Sequence, residues 1–184
     1  TVLVDKAAAP GGNGAILTPY NTIAAAITFA KTAPGTIVRV VGNGGTDGDE
    51  FTPVDAKPYL IGPGLADGDT LEVPKDVTLM IDADAVIKLQ DSNIDAGTSA
   101  QGNDRSNSAI QVLGVPNRSV FLTSYRNDFL GGDSAGVTPA PAGGNWGGVV
   151  FRDDSDYESA GISLNYVNKA NITYGGGQVV VNSV

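Results

Sequence analysis

Hydrophobic positions recur with a helical period in one stretch: beyond Thr18 and Pro19, with Asn21 in the N-cap place, Ile23, Ala26, Ile27 and Ala30 stand at i, i+3, i+4 and i+7. Pro34 and Gly35 end the pattern, which predicts a helix over residues 22–33. A β-branched run at 36–41 follows and is closed by Gly42, Asn43, Gly44 and Gly45, so a strand succeeds the helix. From residue 59 onward the rhythm changes to short apolar runs separated by Gly, Asp, Asn and Pro. These runs, at 59–61, 70–73, 77–81, 86–89, 109–113, 120–123, 149–151, 162–164, 172–174 and 179–181, predict a series of short strands and no second helix.

Short strands of this kind suit a sandwich, a jelly roll or a solenoid, and repetition separates these. Gly147-Gly148-Val149-Val150-Phe151 recurs as Gly176-Gly177-Gln178-Val179-Val180-Val181, and Ser108-Ala109-Ile110-Gln111-Val112-Leu113 is a weaker third copy. Further strand-like pieces lie between the first two copies. Several short strands per repeat are what one coil of a parallel β-helix needs, each coil burying its apolar side against the next. An end coil exposes apolar side chains and open strand edges, so the predicted helix is expected to cover the first coil through Ile23, Ile27 and Ala30. A helix packed on the side of a sheet is the alternative.

Composition sharpens this picture. The chain has 25 Gly and 10 Pro, and its acids are 17 Asp against 3 Glu, with 13 Asn beside them. Asp, Asn and Gly favour turns, which agrees with many strands joined by many tight corners. The net charge of −9 and the lack of any basic run argue against nucleic acid as a partner. No apolar run is long enough to insert across a bilayer. With no Cys and no His, disulfides, thiolate or imidazole metal sites and Ser-His-Asp triads are excluded. A start at Thr1, with neither Met nor an apolar leader, is expected of a processed product or a piece of something longer.

Several segments carry a resemblance. Tyr20-Asn21-Thr22-Ile23 leads through an Ala-rich helix to Pro34-Gly35-Thr36-Ile37-Val38. Later come Val73-Pro74-Lys75-Asp76-Val77-Thr78-Leu79, then Leu122-Thr123-Ser124-Tyr125 with Gly131-Gly132-Asp133, and then Pro141-Ala142-Gly143-Gly144-Asn145-Trp146-Gly147-Gly148-Val149-Val150-Phe151. With these the chain resembles right-handed parallel β-helix proteins of the pectate-lyase-like class, in particular the coils of long extracellular bacterial surface proteins. The resemblance implies an all-β, right-handed parallel β-helix (solenoid) with one N-terminal capping α-helix. Residues 1–58 would form the capping region and first strand, and residues 59–184 the coils. It also implies an extracellular or cell-surface location. It does not choose an activity, since such coils serve adhesins, structural surface proteins and carbohydrate-active enzymes.

Candidate chemistry is acidic. In Arg152-Asp153-Asp154-Ser155-Asp156-Tyr157-Glu158, an extended backbone would point Asp154, Asp156 and Glu158 to one side, where three carboxylates could hold Ca²⁺; a solvated turn is the plainer reading. Asp47-Gly48-Asp49-Glu50 and Asp67-Gly68-Asp69 offer oxygen ligands and a flexible Gly, but neither completes an EF-hand loop, and Asp-Gly is a common turn pair. Trp146 stands among glycines, either packed over a coil edge or exposed as a platform for a sugar ring. Asn165, Asn168 and Asn171 are expected to bond to backbone at turns. A lyase or hydrolase acting on an acidic polysaccharide would gather at least three of Asp153, Asp154, Asp156, Arg118, Arg126 and Arg152 in one groove, whereas a structural module would scatter them.

The sequence finishes in Val179-Val180-Val181-Asn182-Ser183-Val184, with no charged residue after Lys169. A β-branched run of this kind is expected to serve assembly through Val179, Val180, Val181 and Val184, by continuation of a longer chain or by docking of another copy head to tail. The functional expectation is a non-enzymatic structural or adhesive module of a filament, surface layer or larger surface protein, rigidified by Ca²⁺ if metal binds. The alternatives are a carbohydrate-active β-helix enzyme and a sugar-binding module.

Overall fold

The computed structural model describes residues 1–49, 52–99, 103–136 and 139–178. The fold is mostly β, with parallel sheets and one α-helix. Its elements are β1 (Val2–Val4), α1 (Ile23–Ala30), β2 (Ile37–Val40), β3 (Tyr59–Ile61), β4 (Leu71–Glu72), β5 (Thr78–Asp82), β6 (Val86–Leu89) and β7 (Ile94–Ala96). They continue with β8 (Ala109–Leu113), β9 (Val120–Ser124), β10 (Val149–Phe151), β11 (Tyr166–Asn168) and β12 (Ala170–Ile172). Sheet one has the order β1-β2-β5-β8-β11, sheet two β3-β6-β9-β12 and sheet three β4-β7-β10. From β2 onward, successive strands visit sheets one, two and three in turn and then return to sheet one.

Alternation along each strand builds the core. In sheet one, Val38, Leu79 and Ile110 lie in register, as do Val40, Ile81 and Val112, and all six are fully buried. Tyr59, Ile87 and Leu122 do the same in sheet two, and Leu71 with Ile94 in sheet three. Residues of all three sheets and of α1 belong to one apolar cluster. A slip of one residue in any strand would turn its apolar set outward, so this pattern pins the register.

The corners explain the excess of Asp and Asn. Ahead of sheet one the backbone takes positive φ at Gly35 (81°), after α1, and at Asp76 (56°), Asn107 (57°) and Asp156 (55°), after strands of sheet three. The first three stand two residues before a strand. Between sheets one and two the same conformation falls on Asp84, Asn117 and Lys169. The left-handed region costs most side chains energy, and Asp and Asn tolerate it best after Gly. Corners of successive circuits also bond to each other: Asn107 Nδ2 donates to Asp76 Oδ1 at 2.9 Å, and Asp156 N donates to Ser108 O at 2.7 Å.

Helix α1 is shorter than the expected 22–33. Its N-cap is Thr22, not Asn21: Thr22 is extended (φ −137°), and its side chain accepts a bond from Ala25 N. Beyond Lys31 the chain continues as turns, with Thr32 N bonded to Phe29 O. Ile23, Ala26 and Ala30 are buried in the common core, Ile27 packs against it, and the helix lies on β1 and β2.

The two ends of the sheets differ. The outer edge of β1 is occupied: Leu3 N donates to Gly14 O (2.8 Å), Tyr20 N to Leu3 O (3.0 Å) and Asp5 N to Tyr20 O (2.8 Å). The outer edge of β3 is likewise bonded to the connection that follows it, through Leu60 N to Asp67 Oδ2 and Gly62 N to Gly68 O. At the other end, Val167, Ile172 and Phe151 are in register with the buried Val112, Leu122 and Ala96. They remain 44%, 48% and 42% exposed, because no further described strand lies over them.

Some strand expectations need correction. β1 is an additional strand ahead of the helix, β7 and β11 carry too few consecutive apolar residues to stand out from their turns, and 162–164 is not a strand, Ile162 making only an isolated bridge with Tyr157. The strand expected at 172–174 lies at Ala170–Ile172. The third repeat copy, 108–113, belongs to sheet one, whereas 147–151 leads into sheet three, so the two are not equivalent. The 147/176 repeat has a structural counterpart, since Gly176 N donates to Gly147 O (2.8 Å) and Gly177 N to Trp146 O (2.9 Å).

Candidate functional site

The densest charged cluster covers the outer face of sheet three. Glu72 of β4 and Asp95 of β7 are register partners, so their side chains leave the same face. Asp95 is fully buried and takes two arginines: Arg105 Nη2 donates to Oδ1 (2.8 Å), and Arg152 donates through Nε to Oδ1 (2.9 Å) and through Nη2 to Oδ2 (2.6 Å). Glu72 reaches Arg105 at 3.8 Å. The hydrogen bond to Asp95 holds the Arg152 guanidinium above its ordinary pKa despite some desolvation. Arg105 Nε and Glu72 Oε1 are buried without a hydrogen-bond partner.

Beside this cluster lies a cavity of about 610 Å³ between α1 and sheet three, bordered by Lys31, Lys75, Asp69, Glu72, Asp104 and Arg105. Lys75 Nζ lies 2.5 Å from Asp104 Oδ2. Hydrogen bonds from Lys75 and then Ser106 hold the Asp104 carboxyl down at about 2. Both guanidinia are thus turned onto Asp95, and the nearest ammonium onto Asp104. The cavity presents balanced ion pairs, not a surplus of either sign.

The expected metal residues carry several hydrogen-bonding tasks, and Asp154, Asp156 and Glu158 border one open depression. Asp154 Oδ1 accepts from Thr98 N at 2.6 Å; burial pushes its carboxyl up, but the Thr98 bonds outweigh this and hold it below its ordinary value. Asp156 is the corner residue described above, and Asn165 Nδ2 reaches its Oδ2 at 3.4 Å. Glu158 opens a short 3₁₀ turn (Glu158–Ala160). Asp47 accepts from Asp49 N and the Thr52 hydroxyl within its own loop. Asp67 is buried and saturated: it pairs with Lys6 and accepts from Ile23 N (3.2 Å) and Leu60 N (2.8 Å), which ties α1 to sheet two. Asp69 instead accepts from Gly64 N at 2.8 Å. Among the described residues, no group of three or more carboxylates is arranged around a common point.

Of the six residues proposed for a groove, Arg152, Asp153 and Asp154 border one open depression, and Asp153, Asp154 and Asp156 border another, so each gathers three of them. Arg118 lies elsewhere, on Asp84 (Nη2–Oδ2, 2.5 Å), and Arg126 lies near Tyr125 and Asn145.

Trp146 as a sugar platform is corrected. The indole is fully buried in the core, its Nε1 donates to Thr173 O at 2.7 Å, and Gly175 lies against its ring. Asn165 and Asn168 bond to neighbouring strands as expected, through Ile110 N to Asn165 Oδ1 (3.0 Å) and Asn168 Nδ2 to Gly114 O (2.9 Å). Val179, Val180, Val181 and Val184 lie outside the described residues.

Sequence patterns gave no hint of Lys88. It sits in β6, fully buried beneath the 125–136 segment, and donates to Gly132 O (2.5 Å) and Ser134 Oγ (2.9 Å). Burial pushes its ammonium down to about 8, partly opposed by Asp128 and Asp133.

No family model matches this chain, and neither do curated proteins or solved structures. No helix among the described residues is long and apolar enough to cross a membrane.

Proposed function

We propose that this protein is a non-enzymatic structural or adhesive module of an extracellular surface, built as a right-handed parallel β-helix. The observation that carries the reading is the cyclic order in which the strands visit three parallel sheets around one apolar cluster. A chain returning to each sheet in the same order is winding, and parallel crossovers are right-handed in about 98% of cases. In this reading α1 covers the first coil, and Val167, Ile172 and Phe151 are the inward row of the last described one. Such a rod grows by stacking and suits a filament, surface layer or stalk.

A polysaccharide-cleaving enzyme has two observations in its favour: the buried Arg105 and Glu72 atoms without partners beside the cavity, and the two depressions that each gather three of its six expected residues. Against it, Arg105 Nη2 and Arg152 Nε and Nη2 are engaged with Asp95, which neutralises much of the charge these guanidinia could offer a sugar carboxylate.

Electron microscopy of the protein at neutral pH, with and without a calcium chelator, tests the structural reading. Ordered filaments or sheets are the expected result. Loss of order on chelation would assign Ca²⁺ to the Asp-rich loops, and unchanged order would leave those carboxylates to turn formation. Dispersed particles together with cleavage of an acidic polysaccharide would replace this reading with the enzymatic one.

A further inference from the structure

We propose that Asn117 carries an N-linked glycan, transferred from a lipid-phosphate-linked oligosaccharide by a membrane glycosyltransferase. The proposal rests on the surface reading above, because such transfer acts on chains that leave the cytoplasm, and deepens it by naming a modification.

The acceptor motif occurs twice. Of the 13 Asn, two are followed by a residue other than Pro and then by Ser or Thr: Asn117-Arg118-Ser119 and Asn171-Ile172-Thr173. An acceptor presents both its carboxamide and the hydroxyl two residues on, at a surface position where a bulky glycan meets solvent. The fold separates the two copies on these grounds.

Asn117 meets each requirement. It is exposed at the tip of the turn that joins β8 to β9, where Val115 N donates to Arg118 O (2.9 Å) and Arg118 N to Val115 O (3.0 Å). Pro116 and Asn117 are the central residues of this turn, and Asn117 has φ 67°. Pro favours the first of these places and Asn tolerates positive φ in the second, so the turn is set by its own residues. Arg118, the middle residue of the motif, is drawn aside to Asp84 in the preceding corner (Nε–Oδ2, 2.6 Å). Neither the Asn117 carboxamide nor the Ser119 hydroxyl bonds to another described residue, so both are available.

Asn171 differs on two counts. It lies within β12, its backbone paired with Phe121 of β9, and the hydroxyl of Thr173 is bonded to that of Thr123 (2.9 Å). The turn at Asn117 instead lies at a corner between sheets one and two, so a glycan there projects from the side of the winding into solvent. In the transfer, Asn117 Nδ2 bonds to the anomeric carbon of the sugar. The bond from that carbon to the lipid phosphate oxygen breaks, its electron pair leaves with the phosphate, and one amide proton passes to a base of the transferase.

Peptide mass spectrometry of the chain isolated from its own cells, together with fractionation of those cells, tests the proposal. The expected result is a glycan mass on the peptide that contains Asn117 and none on the peptide that contains Asn171. Ser119→Ala keeps Asn117 and removes a hydroxyl without a bonding partner among the described residues, and it is expected to abolish the modification. Asn117→Asp, which retains a residue tolerant of positive φ, should abolish it too, and circular dichroism checks that both variants fold. An unmodified Asn117 in chain recovered from the cell surface overturns the proposal and leaves the surface reading standing, whereas chain confined to the cytoplasm overturns both. A glycan that persists in Ser119→Ala, or one that lies on Asn171, also overturns it.

Discussion

Two buried ionic groups show how individual residues hold outer segments onto the sheets. Asp95 carries no exposed surface and pairs with Arg105 and Arg152, which belong to the segments following β7 and β10. Removing one partner of a buried ion pair strands the others in low dielectric, so Asp95→Ala is expected to cost about 3–5 kcal/mol, measured by urea unfolding. Lys88 acts in the opposite sense. Its folded-state pKa is lowered to about 8 from 10.5, so between those values the unfolded chain binds more protons than the folded one, and stability rises with pH through that window. Below about pH 8 the burial cost is fully present. The urea midpoint, measured from pH 8 to 10, should climb more steeply in the wild type than in Lys88→Met, where this proton is gone.

At the scale of elements, corners matter as much as strands. Asp91 is exposed and sits at φ 48° between β6 and β7. Since backbone conformation is its main constraint, Asp91→Gly is expected to change stability by less than about 0.5 kcal/mol, whereas Asp91→Val should cost about 1–3 kcal/mol in thermal unfolding. Asp67 joins α1 to β3, and Asp67→Ala should cost about 3 kcal/mol and leave Lys6 without its counter-charge. Much of this layer was legible beforehand: β3, β6, β8 and β10 coincide with their apolar runs, because each alternates or clusters apolar residues between turn formers. β7 was not legible, since Ile94-Asp95-Ala96 has a buried carboxylate at its centre, which only the two arginines make tolerable. Nor could the pattern separate Asp67 from a cation ligand, because its partners Lys6 and Ile23 are remote in sequence.

For the whole molecule, the asymmetry of the ends is decisive. Amide exchange is expected to be slowest in β5, β6, β8 and β9, which have neighbours on both sides, and fastest in β11 and β12 at the exposed edge.

The sequence by itself determined the class of structure: one short helix, then short strands separated by Asp, Asn and Gly, in a chain that has no Cys or His chemistry to offer. Those are local properties, set by side-chain periodicity and by which residues accept positive φ. The tertiary structure alone decided which strands stack, that Trp146 is packed inside, that Asp95 gathers two arginines and that Ile16 and Leu17 stand exposed. Each depends on contacts between residues distant in the chain, and a residue's type does not reveal whether its partner will be protein or water.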